Sequence, residues 1–364
     1  GSLESTENPD RLAADAKAAG YPVMLKAAHG GGGRGIRLVE SEKTLRQAVP
    51  QASAEAKHAF GSGALYVEKR IAPARHVEVQ VFGDAQGRVL HLGERECSLQ
   101  RRHQKVLEET PSPALAPETR EALCAAAVKG AKALGYRNAG TMEFLLDASG
   151  KFHFMELNQR LQVEHAVTEL VTGVDLVRAQ ILAAAGEDTG LRQEDVRSRG
   201  HAIEVRLCAE DAEAGFLPAT GTVGDLALPG GPGIRIDGVL QAGLEVSLHY
   251  DSLLAKLCAW APTREQAIGR LHAALAETRV GGVRTNAAYL HALTEHPPFV
   301  AGRYDTGTLE RFRMPPPTPG EEETAAAAAA LAEHARRQQP LLPLPPAASA
   351  WRCAAPPRAR RASW

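Results

Sequence analysis

Six side chains suited to metal, anion and proton chemistry fall within Phe152–His165 (FHFMELNQRLQVEH): Glu156, Asn158, Arg160, Gln162, Glu164 and His165. The first five recur at every second position, and on an extended strand alternate side chains share one face. Phe152 and Phe154 against His153 give the lead-in of a half-buried strand, so the stretch reads as one strand presenting a polar row to one surface. The plainer alternative is a solvated edge strand of mixed charge. Within the row, Arg160 and Gln162 could hold a small planar oxyanion through fork-shaped hydrogen bonds. Glu164 beside them could remove its proton.

The elements around this row decide whether its members meet anything. Thr141–Asp147, a Ser149-Gly150 turn and Lys151–Asn158 read as a hairpin. A two-residue loop there places Glu143 opposite Glu156, with Asn158 on the same face. Two carboxylates facing at about 5 Å repel unless a cation lies between them. With an amide oxygen they make a hard donor set suited to Mg²⁺ or Mn²⁺ bridging nucleotide phosphates. A slip of one residue would instead turn Glu143 to water. Upstream, Lys26 precedes His29-Gly30-Gly31-Gly32-Gly33-Arg34-Gly35 directly after a strand. Backbone N–H groups of such a loop wrap an anion and the lysine adds charge, although a plain hairpin tip is an equal reading. The pattern is neither a Walker A loop nor a GxGxxG fingerprint. Glu94–Lys105 (ERECSLQRRHQK) collects Arg95, Arg101, Arg102, His103 and Lys105, a solvated basic loop by itself and an oxyanion clamp beside a nucleotide.

The remaining elements are a helix over Arg11–Gly20, strands at Tyr21–Ala28, Leu65–Glu68, His76–Phe82 and Val89–Gly93, helices at Pro117–Leu134 and Val174–Ala185, then a second half with strand His201–Cys208, a Gly-rich turn Pro229–Gly233 and helix Arg264–Glu277. From Pro315 the composition turns to Pro, Glu, Ala and Arg. Residues 315–364 read as a low-complexity linker or disordered tail, with Ala325–Arg337 as its helical part. A chain of 364 residues suggests about two domains. The formal net charge of -1 gives no reason to expect nucleic acid or an anionic membrane as partner. Five unclustered cysteines suit reduced thiols and a cytoplasmic setting.

With these pieces in order, the chain resembles the biotin carboxylase branch of the ATP-grasp superfamily. The motifs that carry the resemblance are PVMLKAAHGGGGRGIR, YVEKRI, RHVEVQVFGD, ERECSLQRRHQKVLEE, GTMEF, MELNQRLQVEH, VTGVDLV, GHAIEVRLCAED, FLPATGTV and YDSLLAKL, spread over residues 1–312. The resemblance implies an α+β chain: part of an ATP-grasp domain over 1–190, with a Gly-rich lid at about 20–85, then a biotin carboxylase C-terminal domain over 198–313. It implies that Lys26, Gly32 and Gly33 hold ATP phosphates. Glu68, Lys69 and Ile71 would form the adenine and hinge segment, with His76 and Gln100 near the ribose and His103 near the phosphates. Glu143, Glu156 and Asn158 would bind two Mg²⁺ or Mn²⁺ ions. Lys105, Arg160, Gln162 and Val163 would form the bicarbonate pocket, with Glu164 as the base and Arg206 stabilising the biotin enolate. Biotin would arrive on a carrier protein or domain, since no Ala-Met-Lys-Met attachment motif occurs. A carboxyltransferase subunit and a second copy of the chain are the other expected partners.

Gln159 stands where the family often has a small residue and Ala166 where proline is usual. The family's N-terminal α/β domain and another ATP-binding lysine have no counterpart here, so the chain reads as truncated at its N-terminus. Two other readings stay open: a different ATP-grasp ligase of the carboxylate-amine or carbamoyl-phosphate type, and a non-catalytic nucleotide-binding or dimerising remnant.

Overall fold

The computed structural model describes residues 1–30 and 35–316, together with 320, 323, 324, 326–328, 330, 331 and 334. Residues 1–314 form one compact unit, and Pro315–Trp364 belong to a second. Within the expected tail helix, residues 326–328, 330, 331 and 334 are helical; the other residues of that stretch lie outside the described residues.

The chain begins with helix α1 (Pro9–Ala19). Asn8 caps it by accepting from the Asp10 and Arg11 N–H groups, Pro9 starts its first turn, and Gly20 ends it at φ 77°. Strand β1 (Val23–Ala27) is the centre of a small antiparallel sheet, between β2 (Ile36–Val39) and β3 (Leu65–Lys69). Helix α2 (Glu42–Phe60) connects the outer strands and packs Leu45, Val49, Ala52 and Ala56 onto α1 and the sheet. The sequence reading missed this helix because Pro50 interrupts it. Ser41 and Thr44 cap its start reciprocally.

The rest is built on one antiparallel sheet of eight strands. In chain order they are β4 (Ala74–Gly83), β5 (Val89–Arg101), β6 (Gln104–Thr110), β7 (Asn138–Asp147), β8 (Phe152–Asn158), β9 (His201–Cys208), β10 (Ile234–Gly238) and β11 (Leu253–Ala261). In space their order is β10-β11-β9-β6-β5-β4-β7-β8. The sheet therefore runs without a break from the first half of the sequence into the second, joined where β6 pairs with β9.

Helix α3 (Pro117–Ala133) covers one face through Leu123, Ala127 and Ala131 against Val77, Val79, Met142 and Phe144. Helices α6 (Arg264–Glu277) and α7 (Ala287–Thr294) extend that layer over Leu107, Val205 and Leu257. On the opposite face, α4 (His165–Thr172) packs on Ala202 and α5 (Leu176–Ala184) on Phe82, Leu90 and Ala139. This mixed helix-and-sheet arrangement agrees with the α+β expectation. Among the described residues, no helix is long and apolar enough to cross a membrane.

Candidate functional site

The part of the sheet left open by α4 and α5 carries the polar groups, and strand alternation explains why they gather there. In β4 the sequence His76-Val77-Glu78-Val79-Gln80-Val81 sends the valines under α3 and His76, Glu78 and Gln80 to the other face, all of them buried. Register then builds a row across four strands. Arg95 of β5 pairs with Glu78, Glu78 with Glu143 of β7, and Glu143 with Glu156 of β8. The Glu143–Glu156 pairing agrees with the expectation, but its cause differs. The hairpin loop is Ala148-Ser149-Gly150, because the Asp147 N–H donates to Lys151 O at 2.9 Å. Pairing is therefore one residue out of step until Met155, left unpaired between Phe154↔Phe144 and Glu156↔Glu143, makes a bulge. The bulge places Phe154 against Phe144 and turns Glu156 to the opposite face, beside Glu143.

The row does not continue as a strand. β8 ends at Asn158, residues 159–164 form a turn, and Glu164 is the N-cap residue of α4. Four contacts hold this turn. Gln162 accepts from Arg95 Nη2 at 3.0 Å and donates to Glu143 Oε1 at 2.7 Å. His165 Nδ1 lies 2.7 Å from Gln162 O. Lys256 Nζ donates to Val163 O at 2.5 Å. Arg160, expected in the anion pocket, is exposed and, among the described residues, reaches only Asn158 Oδ1 (3.5 Å) and Leu161 O (3.4 Å).

Glu94–Arg101 is likewise part of β5 and not a basic loop. Arg95 is fully buried, and each of its five N–H donors has a partner: Glu78 Oε1 for Nε, Gln80 and Thr168 for Nη1, Thr141 and Gln162 for Nη2. Arg102 and His103 alone form the exposed turn into β6, at φ 49° and 65°.

Lys105 and Glu164 are the centre of the arrangement. Lys105 Nζ donates to Glu78 Oε2 (2.5 Å), Glu143 Oε1 (3.1 Å) and Glu164 Oε1 (2.6 Å). The other oxygen of Glu164 accepts from Arg206 Nη2 at 3.0 Å, and Arg206 Nε donates to Glu108 Oε1 at 2.7 Å. Burial alone would raise Glu164, but Lys105, then Arg206 and Arg95, hold it well below the usual carboxylate range. Burial opposes charge on Lys105 too; Glu78, then Cys97, Glu164 and Glu143, overcome this and keep it an ammonium. Glu143 shows the same balance, with burial outweighed by His76, Lys105 and Gln162. His76 Nε2 lies 2.9 Å from Glu143 Oε2, while its Nδ1 accepts from Gln100 Nε2 at 2.5 Å. Behind Arg206, Glu108 faces Glu204 across the β6–β9 ladder, both fully buried. Burial, then Glu108, pushes the Glu204 carboxyl up to about 8, so it stays protonated at neutral pH.

Asn158 Nδ2 lies 2.9 Å from Glu143 Oε1 and 3.2 Å from Glu156 Oε1, so both carboxylates already converge on one electropositive atom. Two carboxylates and an amide on one face are a hard donor set that fits Mg²⁺ or Mn²⁺. On the small sheet, Lys26 pairs with Glu68. Its register partner Tyr66 is pushed up to about 12 by burial, then Glu68 and Glu156. Lys69 Nζ is turned away to Gly20 O at 2.7 Å, and Ile71 is half-buried past the end of β3. Gly32 and Gly33 lie outside the described residues.

The structure thus joins Glu143, Glu156, Asn158, Gln162, Glu164, Lys105, Arg206, His76 and Gln100 into one connected network, with Lys26 and Glu68 as a separate pair. Sequence reasoning missed Glu78, Gln80, Thr141, Thr168, Glu108 and Lys256 as its supports. The His-x-Glu-x-Gln alternation between valines in β4 was the available signal; the contacts of Thr168 and Lys256 come only from tertiary packing.

Comparison with known proteins gives the same picture. Residues 1–192 match the family model for the carbamoyl-phosphate synthase L chain ATP-binding domain, and residues 204–311 match the biotin carboxylase C-terminal domain. The chain is 49% identical over 295 residues to a biotin carboxylase of Nostoc sp., covering 81% of this chain and 66% of that one. It is 45% identical to biotin carboxylase 1 of Bacillus subtilis, over 86% of this chain and 70% of that one. Among solved structures, the biotin carboxylase domain dimer of Hydrogenobacter thermophilus 2-oxoglutarate carboxylase, in complex with MgADP, ADP and bicarbonate, superimposes with a TM-score of 0.83. That pair is 46% identical, covering 85% of this chain and 69% of that one. The chain spans about two thirds of the length of these relatives. Both matched segments, these identities and the shared ATP-grasp architecture establish that the chain belongs to the biotin carboxylase family.

Proposed function

We propose that the chain is the biotin carboxylase component of a biotin-dependent acyl-CoA carboxylase, an ATP-dependent ligase that carboxylates biotin on a carrier. The observation that carries this reading is the Lys105–Glu164–Arg206 chain, in which one carboxylate is held between two cations beside Glu143, Glu156 and Asn158. In this reading Lys105 and Arg206 bind bicarbonate as an anion, and Glu164, kept ionised by the same two cations, takes its proton. Arg160, on the exposed turn, completes the pocket from the solvent side. The bicarbonate oxygen attacks the γ-phosphate of ATP, giving carboxyphosphate and ADP. Carboxyphosphate yields CO₂ and phosphate, phosphate takes the N1 proton of biotin, and Arg206 holds the ureido enolate as it attacks CO₂. Mg²⁺ or Mn²⁺ bound by Glu143, Glu156 and Asn158 would supply neutralisation of phosphate charge.

Lys26 with Gly32 and Gly33 would hold the ATP phosphates, and Glu68, Lys69 and Ile71 the adenine and hinge side. His76, Gln100 and His103 would complete the nucleotide site, with Val163 and Gln162 lining the bicarbonate pocket. We assign residues 1–190 to the ATP-grasp part, with a lid at about 20–85, and 198–313 to the C-terminal domain. A biotin carrier, a carboxyltransferase subunit and a second copy of the chain are the proposed partners; the Hydrogenobacter relative is itself a dimer. The test is ADP release with bicarbonate, with and without free biotin, alongside ATP binding. Biotin-stimulated ADP release supports the reading. ATP binding without any bicarbonate- or biotin-dependent turnover overturns it in favour of a nucleotide-binding remnant.

A further inference from the structure

On the sheet face opposite the site, α6 and α7 bring together His272, His291 and Glu295, whose ligand atoms all lie within 4.8 Å of one another. His291 and Glu295 stand one helical turn apart on α7 and its C-cap, and so share a face. His272 comes from the neighbouring α6, its ring 4.0 Å from that of His291.

Hydrogen bonds decide which nitrogens remain available. Thr294 Oγ1 gives its one proton to His291 O at 2.6 Å, so towards His272 Nδ1, 2.9 Å away, it can only accept. His272 therefore carries its proton on Nδ1, and its Nε2 lone pair is left unprotonated. An imidazole oriented through its other nitrogen is the usual arrangement of a metal-bound histidine. His291 Nε2 is buried without a hydrogen-bond partner. The Glu295 carboxylate is exposed and makes no ion pair among the described residues.

We propose that His272, His291 and Glu295 form a site for a borderline divalent ion of the Zn²⁺ type, clipping α6 to α7. Two imidazole nitrogens and one carboxylate favour such an ion over Mg²⁺, which prefers an all-oxygen shell. The clip acts on a helix that touches the candidate active site from behind. Asn286, at the other end of α7, donates to Arg206 O and accepts from the Cys208 N–H, both at 2.9 Å.

The test uses the full chain stripped of metal, titrated with Zn²⁺ and with Co²⁺ as a spectroscopic probe. Excess Mg²⁺ is kept present to fill any hard-oxygen site. Wild type should bind one ion here, raise its unfolding temperature on Zn²⁺ addition and show Co²⁺ d–d bands. Glu295→Gln, an exposed change that leaves the fold intact, should weaken binding about tenfold, and His291→Gln towards a hundredfold. Equal Zn²⁺ affinity in wild type, E295Q and H291Q, or no binding by wild type, overturns the proposal.

Discussion

Glu164 must be ionised before it can accept a proton, and Lys105 and Arg206 ensure that it is. The same cations make it a weak base, so on its own it could not deprotonate a weak acid such as bicarbonate efficiently. The conflict resolves if the anion takes over part of the cationic field. In the proposed complex, bicarbonate between Lys105 and Arg206 would have its own acidity raised by them, while Glu164 would lose some of their stabilisation and become more basic. Glu164→Gln keeps the shape and hydrogen-bonding capacity of the side chain but cannot take the proton. Bicarbonate-dependent ADP release should fall by roughly 10²- to 10⁴-fold, while ATP affinity, measured by calorimetry, stays near that of wild type. Collapse of ATP affinity instead would make Glu164 a structural link between Lys105 and Arg206.

At the scale of elements, the β5–β6 hairpin turns on Arg102 and His103, both in the left-handed region at φ 49° and 65°. Two-residue turns of this kind favour Asn-Gly, and an ordinary residue there costs about 1–2 kcal/mol. The turn sets the pairing of Gln100 with Lys105, which places Lys105 among its three carboxylates. Replacing Arg102-His103 by Asn-Gly should raise stability in urea unfolding by about 1–3 kcal/mol and, if the proposed nucleotide site is right, lower ATP affinity by removing two exposed cationic or polar groups from its phosphate side. Unchanged ATP affinity would remove His103 from the nucleotide site. This hairpin also marks where the sequence stops being legible. Alternation in β4 and β7 follows from local pattern, whereas Glu143 faces Glu156 only because the extra loop residue and the Met155 bulge cancel. The end of β8 at Asn158 does not follow from local pattern either, because the polar row after it is equally regular in type. What bends residues 159–164 into a turn is Arg95, Lys256 and Glu143 holding them from other strands, and no local signal encodes such long-range partners. The Met155 bulge is similarly hidden, since only the conflict between loop length and facing reveals it.

Across the whole molecule, β6 ties the site to the body of the protein, because adjacent residues on a strand point to opposite faces. Glu108 supports Arg206 on the site face, while Glu109 on the other face gathers three partners from distant segments. It accepts from His201 Nε2 at 2.6 Å, from Arg264 Nε and Nη2 at 2.7 and 2.9 Å, and from the buried Tyr304 hydroxyl. Arg264 in turn donates to the carbonyls of Phe299 and Val300, so one buried carboxylate joins the central sheet, α6 and the segment around residue 300. Burial would raise Glu109, but His201 and Arg264 outweigh it and hold the carboxyl at about 2 against an ordinary 4.5. The folded-state value is the lower one, so this contribution to stability is fully present above 4.5 and is lost as pH falls from there through about 2. Its size is about 3 kcal/mol. Glu109→Gln should cost about 3–5 kcal/mol near neutral pH by leaving Arg264 and His201 without their anion. That deficit should shrink as wild type is acidified below 4.5 and loses the same interaction. Urea unfolding of both proteins at a series of pH values measures the difference directly. A gap that stays constant through the acid range would show that Glu109 stabilises the sheet by its shape and packing and not by its charge.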